Sequence, residues 1–83
     1  MEIRDQLVHF FNENFMVDMV KEYSADTSLL ENGIIDSTGV LELVAYIEQN
    51  YSIKINDEEI VPENLDSLIN IENFIKNKVN GKK

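Results

Sequence analysis

Cysteine is absent from this chain, and histidine occurs once, at position 9. Without thiols there is no disulfide and no thiolate-bound metal, and a zinc site is excluded in practice. The compartment cannot be read from cysteine pairing either. Basic residues are scarce: seven lysines and arginines stand against sixteen aspartates and glutamates, for a formal net charge of −9. A field of that sign on so small a body argues against nucleic acid or an anionic membrane as partner, and it favours basic proteins. Gly33, Gly39 and Gly81 are scattered, so no glycine-rich phosphate loop exists. No apolar run reaches the length of a bilayer span, and the charged opening Met1-Glu2-Ile3-Arg4-Asp5 lacks a signal peptide's apolar stretch. The expectation is a soluble cytoplasmic protein with no stable membrane association.

What is present is enough apolar material to fold, 43% of 83 residues. That length makes a single domain over 1–83, with 1–2 and 80–83 expected to fray. Its core is modest, so its stability is expected to be only a few kcal/mol.

The expected fold class is all-α, a small four-helix bundle of three main helices and a short third one behind a long first loop. Ile3, Leu7, Val8, Phe10, Phe11, Phe15, Met19 and Val20 follow helical spacing over residues 3 to 21, with Asp5, Gln6, Asn12 and Glu13 outward. Residues 22 to 36 read as a loop, in which Ser28-Leu29-Leu30-Glu31 fits a capping box and one helical turn. A second helix from Ser37 to Asn50 turns Val40, Leu43, Val44 and Ile47 inward, carries Leu41 on its flank, and points Glu42 and Glu48 outward. Tyr51 to Asn56 reads as extended loop, because a lone strand cannot bury its edges. Asp57-Glu58-Glu59-Ile60-Val61 reads as a short third helix closed by Pro62. The last helix runs from about Leu65 to Val79, with Leu68, Ile71, Phe74, Ile75 and Val79 as its stripe and Lys76 and Lys78 at its negative end.

No catalytic kit is visible. A serine hydrolase needs a nucleophile, a general base and an orienting acid. His9, the one candidate base, sits mid-helix between Val8 and Phe10, where a lone histidine is read as a surface or rim residue. No Gly-x-Ser-x-Gly elbow surrounds Ser37. Asp57-Glu58-Glu59 lacks the calcium-loop pattern and reads as a solvated helix start. The chain is not expected to be an enzyme. It must bind partners passively or carry a group that another enzyme attaches.

Two Asp-Ser pairs each open an apolar helix: Asp36-Ser37 and Asp66-Ser67. Asn64, Asp66 and Ser67 are all good N-cap residues, and capping accounts for them without further function. Ser37 follows a long loop and two apolar residues, Ile34 and Ile35, that look exposed. A serine in a helix's first turn is also where an attached phosphodiester meets free N–H groups and the positive end of the dipole. On the residues alone, cap and attachment site both stay open for Ser37.

The stretch "DTSLLENGIIDSTGVLELVAYIEQNYSIKI" resembles the central segment of acyl and peptidyl carrier proteins, and "ENLDSLINIENFI" resembles their closing helix. The resemblance covers nearly the whole chain. It implies that Ser37, preceded by Asp36, receives a 4′-phosphopantetheine arm from coenzyme A, whose thiol holds an acyl or aminoacyl group as a thioester. It implies as partners a phosphopantetheinyl transferase, a loading ligase, and synthases or transferases with basic docking patches, all acting on a monomer. Partner contacts would come from Thr38, Val40, Leu41, Glu42, Glu48 and Glu59. A cargo pocket would be lined by Leu30, Ile34, Val44, Ile47, Ile60 and Val61. Ser67 falls in the closing helix, where the family has no attachment site. Two departures bear on the partners: Thr38 stands where the family usually has leucine or methionine, and Gln49-Asn50 follows Glu48 where fatty-acid carriers have more acid. "GIIDS" resembles discrete carriers of specialised pathways. The competing expectation, from another class, is an acidic interaction module, an adaptor or nucleic-acid mimic, that never carries an arm.

Overall fold

The computed structural model describes residues 2–15, 17–18 and 23–81. Among them are four helices and no strand: α1 (Ile3–Asn14), α2 (Ser37–Tyr51), α3 (Pro62–Leu65) and α4 (Leu68–Gly81), with a 3₁₀ turn at Asp57–Glu59. The fold is all-α. Among the described residues no helix is long and apolar enough to cross a membrane.

The central element is α4, which packs against α1, α2 and α3. Its Leu68, Ile71, Phe74 and Ile75 meet Leu7, Phe10 and Phe11 of α1 and Leu43, Val44 and Ile47 of α2 in one core. Val79, expected in this stripe, is instead 40% exposed. It lies beyond the last turn that the neighbouring elements cover. The same face also buries Glu72, whose carboxylate is held by Arg4 of α1 (Nη2–Oε1 2.7 Å) and by Lys76 (3.6 Å). The Arg4 guanidinium holds the Glu72 carboxyl below its ordinary 4.5, against the opposing effect of burial. A depressed carboxyl adds stability in full above 4.5 and loses it as pH falls through the folded value. We therefore expect the wild type to lose more melting temperature than Arg4→Gln on acidification below pH 4.5. Equal losses would mean that the pair contributes nothing.

Three boundaries differ from the sequence expectation. The first helix ends at Asn14 rather than near residue 21. There the Asn14 side chain donates to the Phe10 carbonyl (2.9 Å), and Phe15 leaves helical geometry at φ −118°, ψ 4°. Polar side chains that compete for the last carbonyls end helices in this way. The expected contributions of Met19 and Val20 lie outside the described residues. Gln6, expected outward, instead receives hydrogen bonds from the hydroxyls of Tyr46 and Tyr51 and so ties α1 to α2. Burial, and then the neighbouring Tyr46 hydroxyl, push the Tyr51 phenol up to about 12.

Pro62 opens a helix instead of closing one. It occupies the first position of α3, where its missing N–H costs no intrahelical bond. Proline also drives the residue before it toward extended geometry, and Val61 stands at φ −133°, ψ 156°. The expected third helix over 57–61 therefore shrinks to the 3₁₀ turn, and the helical residues fall after the proline. The last helix accordingly starts at Leu68 rather than Leu65. The connector 53–56 is extended, as expected, with Ile53 and Ile55 buried.

Candidate functional site

The two Asp-Ser pairs have different fates. At Ser67 the hydroxyl itself is the cap: its Oγ accepts from the Asn70 N–H (3.2 Å), and the residue is 4% exposed. At the other pair the cap is Asp36. Its backbone is extended at φ −125°, ψ −170°, and its Oδ1 accepts from the Gly39 N–H (2.8 Å) while its carbonyl accepts from Val40 N–H (2.8 Å). Ser37 is thereby the first helical residue, outside the capping bond, and exposed. The N–H groups of Ser37 and Thr38 point out of the helix start, in its positive half-turn.

The loop before Ser37 is more ordered than its polarity suggests. Leu29 is fully buried and anchors it. The Ser28 hydroxyl accepts from the Glu31 N–H (3.1 Å), the half of the expected capping box that anchors a turn. Gly33 closes that turn at φ +69°, a left-handed conformation that glycine adopts without a Cβ penalty. Ile34 and Ile35, expected to be exposed, are both buried, because the turn folds back and the Leu29 carbonyl accepts from both their N–H groups (2.9 and 3.4 Å).

Gly39 is a site residue that the sequence reading missed. A Cβ placed there would lie 2.9 Å from Ile35 Cγ1 and 2.9 Å from Phe15 Cε1, so the glycine lets the loop and α1 close onto the first turn of α2. Its one sequence signal is a glycine in a turn whose neighbours favour helix. Overpacking costs about 1–3 kcal/mol, whereas exchanging glycine for alanine in a helix returns about 1 kcal/mol at most. Gly39→Ala should therefore lower the melting temperature. A rise would show that Phe15 and Ile35 move aside freely.

Beside Ser37 lies an apolar pocket of about 130 Å³, lined by Leu30, Ile35, Val40, Ile60, Val61, Pro62 and Leu65. Ile35 and Val40 bracket Ser37 in the sequence. Of the expected lining, Leu30, Ile60 and Val61 are there; Ile34, Val44 and Ile47 are committed to the core. Pro62 and Leu65 join the lining because the helical residues fall after the proline, and Ile35 joins it because the loop turns back onto Leu29.

The expected partner residues separate. Thr38 is exposed, and Leu41, one turn beyond Ser37, is 64% exposed. Val40 is half-buried in the pocket wall. Glu42 is exposed but lines an open groove of about 490 Å³ between α1 and α2, together with His9, Glu13 and Tyr46. His9 is a surface residue, as expected, paired with Glu13 (3.2 Å). Glu48 is not a free outward charge: it accepts from the Ile55 N–H (2.9 Å) and pins the connector. Glu59 is engaged too, by Lys78 of α4 (2.8 Å) and the Asn56 N–H (2.9 Å). Both bonds, Lys78 first, hold its carboxyl below the ordinary value.

Neither the family models nor the curated proteins match this chain.

Proposed function

We propose that this chain is a carrier protein, on which Ser37 bears a 4′-phosphopantetheine arm. The observation that carries the reading is the division of labour at the start of α2: Asp36 makes the capping bond, so the exposed Ser37 hydroxyl is left to react. The resemblance of the surrounding residues to acyl and peptidyl carrier proteins points to the same serine. In the attachment step the Ser37 oxygen would form a bond to the phosphorus of coenzyme A that carries the pantetheine. The pyrophosphate P–O bond breaks, and adenosine 3′,5′-bisphosphate leaves. The serine proton passes to a base of the transferase, since the chain's one histidine, His9, lines the α1–α2 groove and not the pocket whose residues flank Ser37. The new phosphodiester is stabilised by the N–H groups of Ser37 and Thr38. Thr38 and Leu41 are the exposed residues that a partner enzyme meets first, with Glu42 at a greater remove on the groove side.

The test is intact mass after incubating the unmodified chain with coenzyme A and a phosphopantetheinyl transferase. A gain of one arm supports the carrier. No gain with several transferases leaves the acidic interaction module.

The pocket bears on the cargo. It is apolar and measures about 130 Å³, room for a short apolar tail. Enclosed methylenes contribute about 0.8 kcal/mol each. A butyryl-loaded form should melt above the form bearing the arm alone. Coincident melting curves would mean that the cargo stays outside, as a polar aminoacyl group would.

A further inference from the structure

Asp66 belongs to the second Asp-Ser pair, yet its side chain does not cap α4. It reaches back across the fold to the first loop. Its Oδ2 accepts from the Ser28 hydroxyl (2.6 Å) and its Oδ1 from the Leu30 N–H (2.8 Å). Its carbonyl accepts from the Leu29 N–H (2.7 Å) between them. Three successive loop residues are thus held by one residue of the α3–α4 junction. A further bond, from the Ile69 N–H to the Ala25 carbonyl (3.0 Å), runs alongside. The Leu29 carbonyl then accepts from the N–H groups of Ile34 and Ile35. Ile35 directly precedes the cap Asp36 and the exposed Ser37. Hydrogen bonds therefore run without a break from Asp66 to the residue that leads into the site.

We infer that Asp66 is a positioning residue for Ser37, clamping the loop so that the Asp36-Ser37 turn is presented in one conformation to the enzyme that modifies it. The inference rests on the carrier reading; Asp66 is not itself a lining residue of the pocket, but it holds the backbone of Leu30, which is. The residue type fits the task. The carboxylate accepts on both oxygens, from the Ser28 hydroxyl and from the Leu30 N–H, and an alanine would offer neither bond. The clamp also ties the loop that carries Leu30 to the end of α3 that carries Leu65, both of which line the pocket.

The experiment measures transferase kinetics on the full chain with coenzyme A, for wild type, Asp66→Ala and Ser28→Ala. Ile71→Val, a change in the buried face of α4 outside the clamp, serves as the control, compared at matched folded fraction. A loop that is competent for only a tenth of the time weakens apparent binding about tenfold. Asp66→Ala should therefore raise KM by about that factor with kcat little changed. Ser28→Ala, which spares the Leu30 and Leu29 bonds, should raise it less. Amide exchange should quicken at Leu30 and Ile34 in both variants and stay slow at Leu43 and Ile47. An unchanged KM in Asp66→Ala overturns the inference, and so does an equal rise in Ile71→Val. If Asp66→Ala does not fold, Ser28→Ala decides: quicker exchange at Leu30 with an unchanged KM overturns it as well. A wild-type chain that takes up no arm fails the carrier reading itself, and the positioning role falls with it.

Discussion

Ser37→Ala takes up no arm, and Ser67→Ala takes it up at the wild-type rate. That is the expected result of incubating the two variants with coenzyme A and transferase and reading intact mass over time. The two serines share a local sequence, so the difference must come from where their hydroxyls are. Ser67 is buried, and its oxygen accepts the Asn70 N–H. Ser37 is exposed, with Asp36 capping in its place. The alanine at 37 therefore removes the reacting atom at almost no structural cost. The alanine at 67 removes a cap worth about 0.5–2 kcal/mol, and its melting temperature should fall while attachment persists. Arm uptake by Ser37→Ala would refute the assignment of the site.

Leu29→Ala should be among the most damaging single changes in the loop, at about 2–5 kcal/mol. Its side chain is fully buried although no helix contains it. For a chain of this length the whole stability is expected at roughly 4–12 kcal/mol, so such a loss removes a large share of it. Leu41→Ala is the internal comparison: Leu41 is 64% exposed, and its truncation should stay within about 0.5 kcal/mol. Urea unfolding of both variants measures the difference as a shift of midpoint at constant slope. If Leu29→Ala shifts the midpoint no further than Leu41→Ala, the loop is not part of the core.

The helical faces of α2 and α4 were legible from spacing alone: Leu43, Val44, Ile47, Leu68, Ile71, Phe74 and Ile75 are all buried. So was a connector without helix or strand after α2, although it begins past Tyr51, which ends the helix, and the burial of Ile53 and Ile55 was not expected. These features depend on a residue and its near neighbours, which is the range over which hydrophobic periodicity carries information. The α2 helix start was also legible, but not which of Asp36 and Ser37 would cap it. Both side chains are suited to that bond, and the choice follows from where the incoming loop places each one.

That loop is where local reasoning stopped. Residues 22 to 36 are polar at first and lack a helical period, yet the chain places Leu29, Ile34 and Ile35 in the core. Leu29, which in turn holds Ile34 and Ile35, bonds Asp66, nearly forty positions away, and a hydrogen bond over that separation leaves no mark on the spacing of either segment. The same holds for the acids. Glu48, Glu59 and Glu72 look like ordinary surface charges in sequence, but they pin the connector, bind Lys78 and bind Arg4. By itself the sequence determined the charge, the absence of thiols, the helical class and two candidate serines. The tertiary structure alone decided which serine is exposed, which acids remain free and which residues line the pocket, because each of those depends on what a distant segment brings into contact.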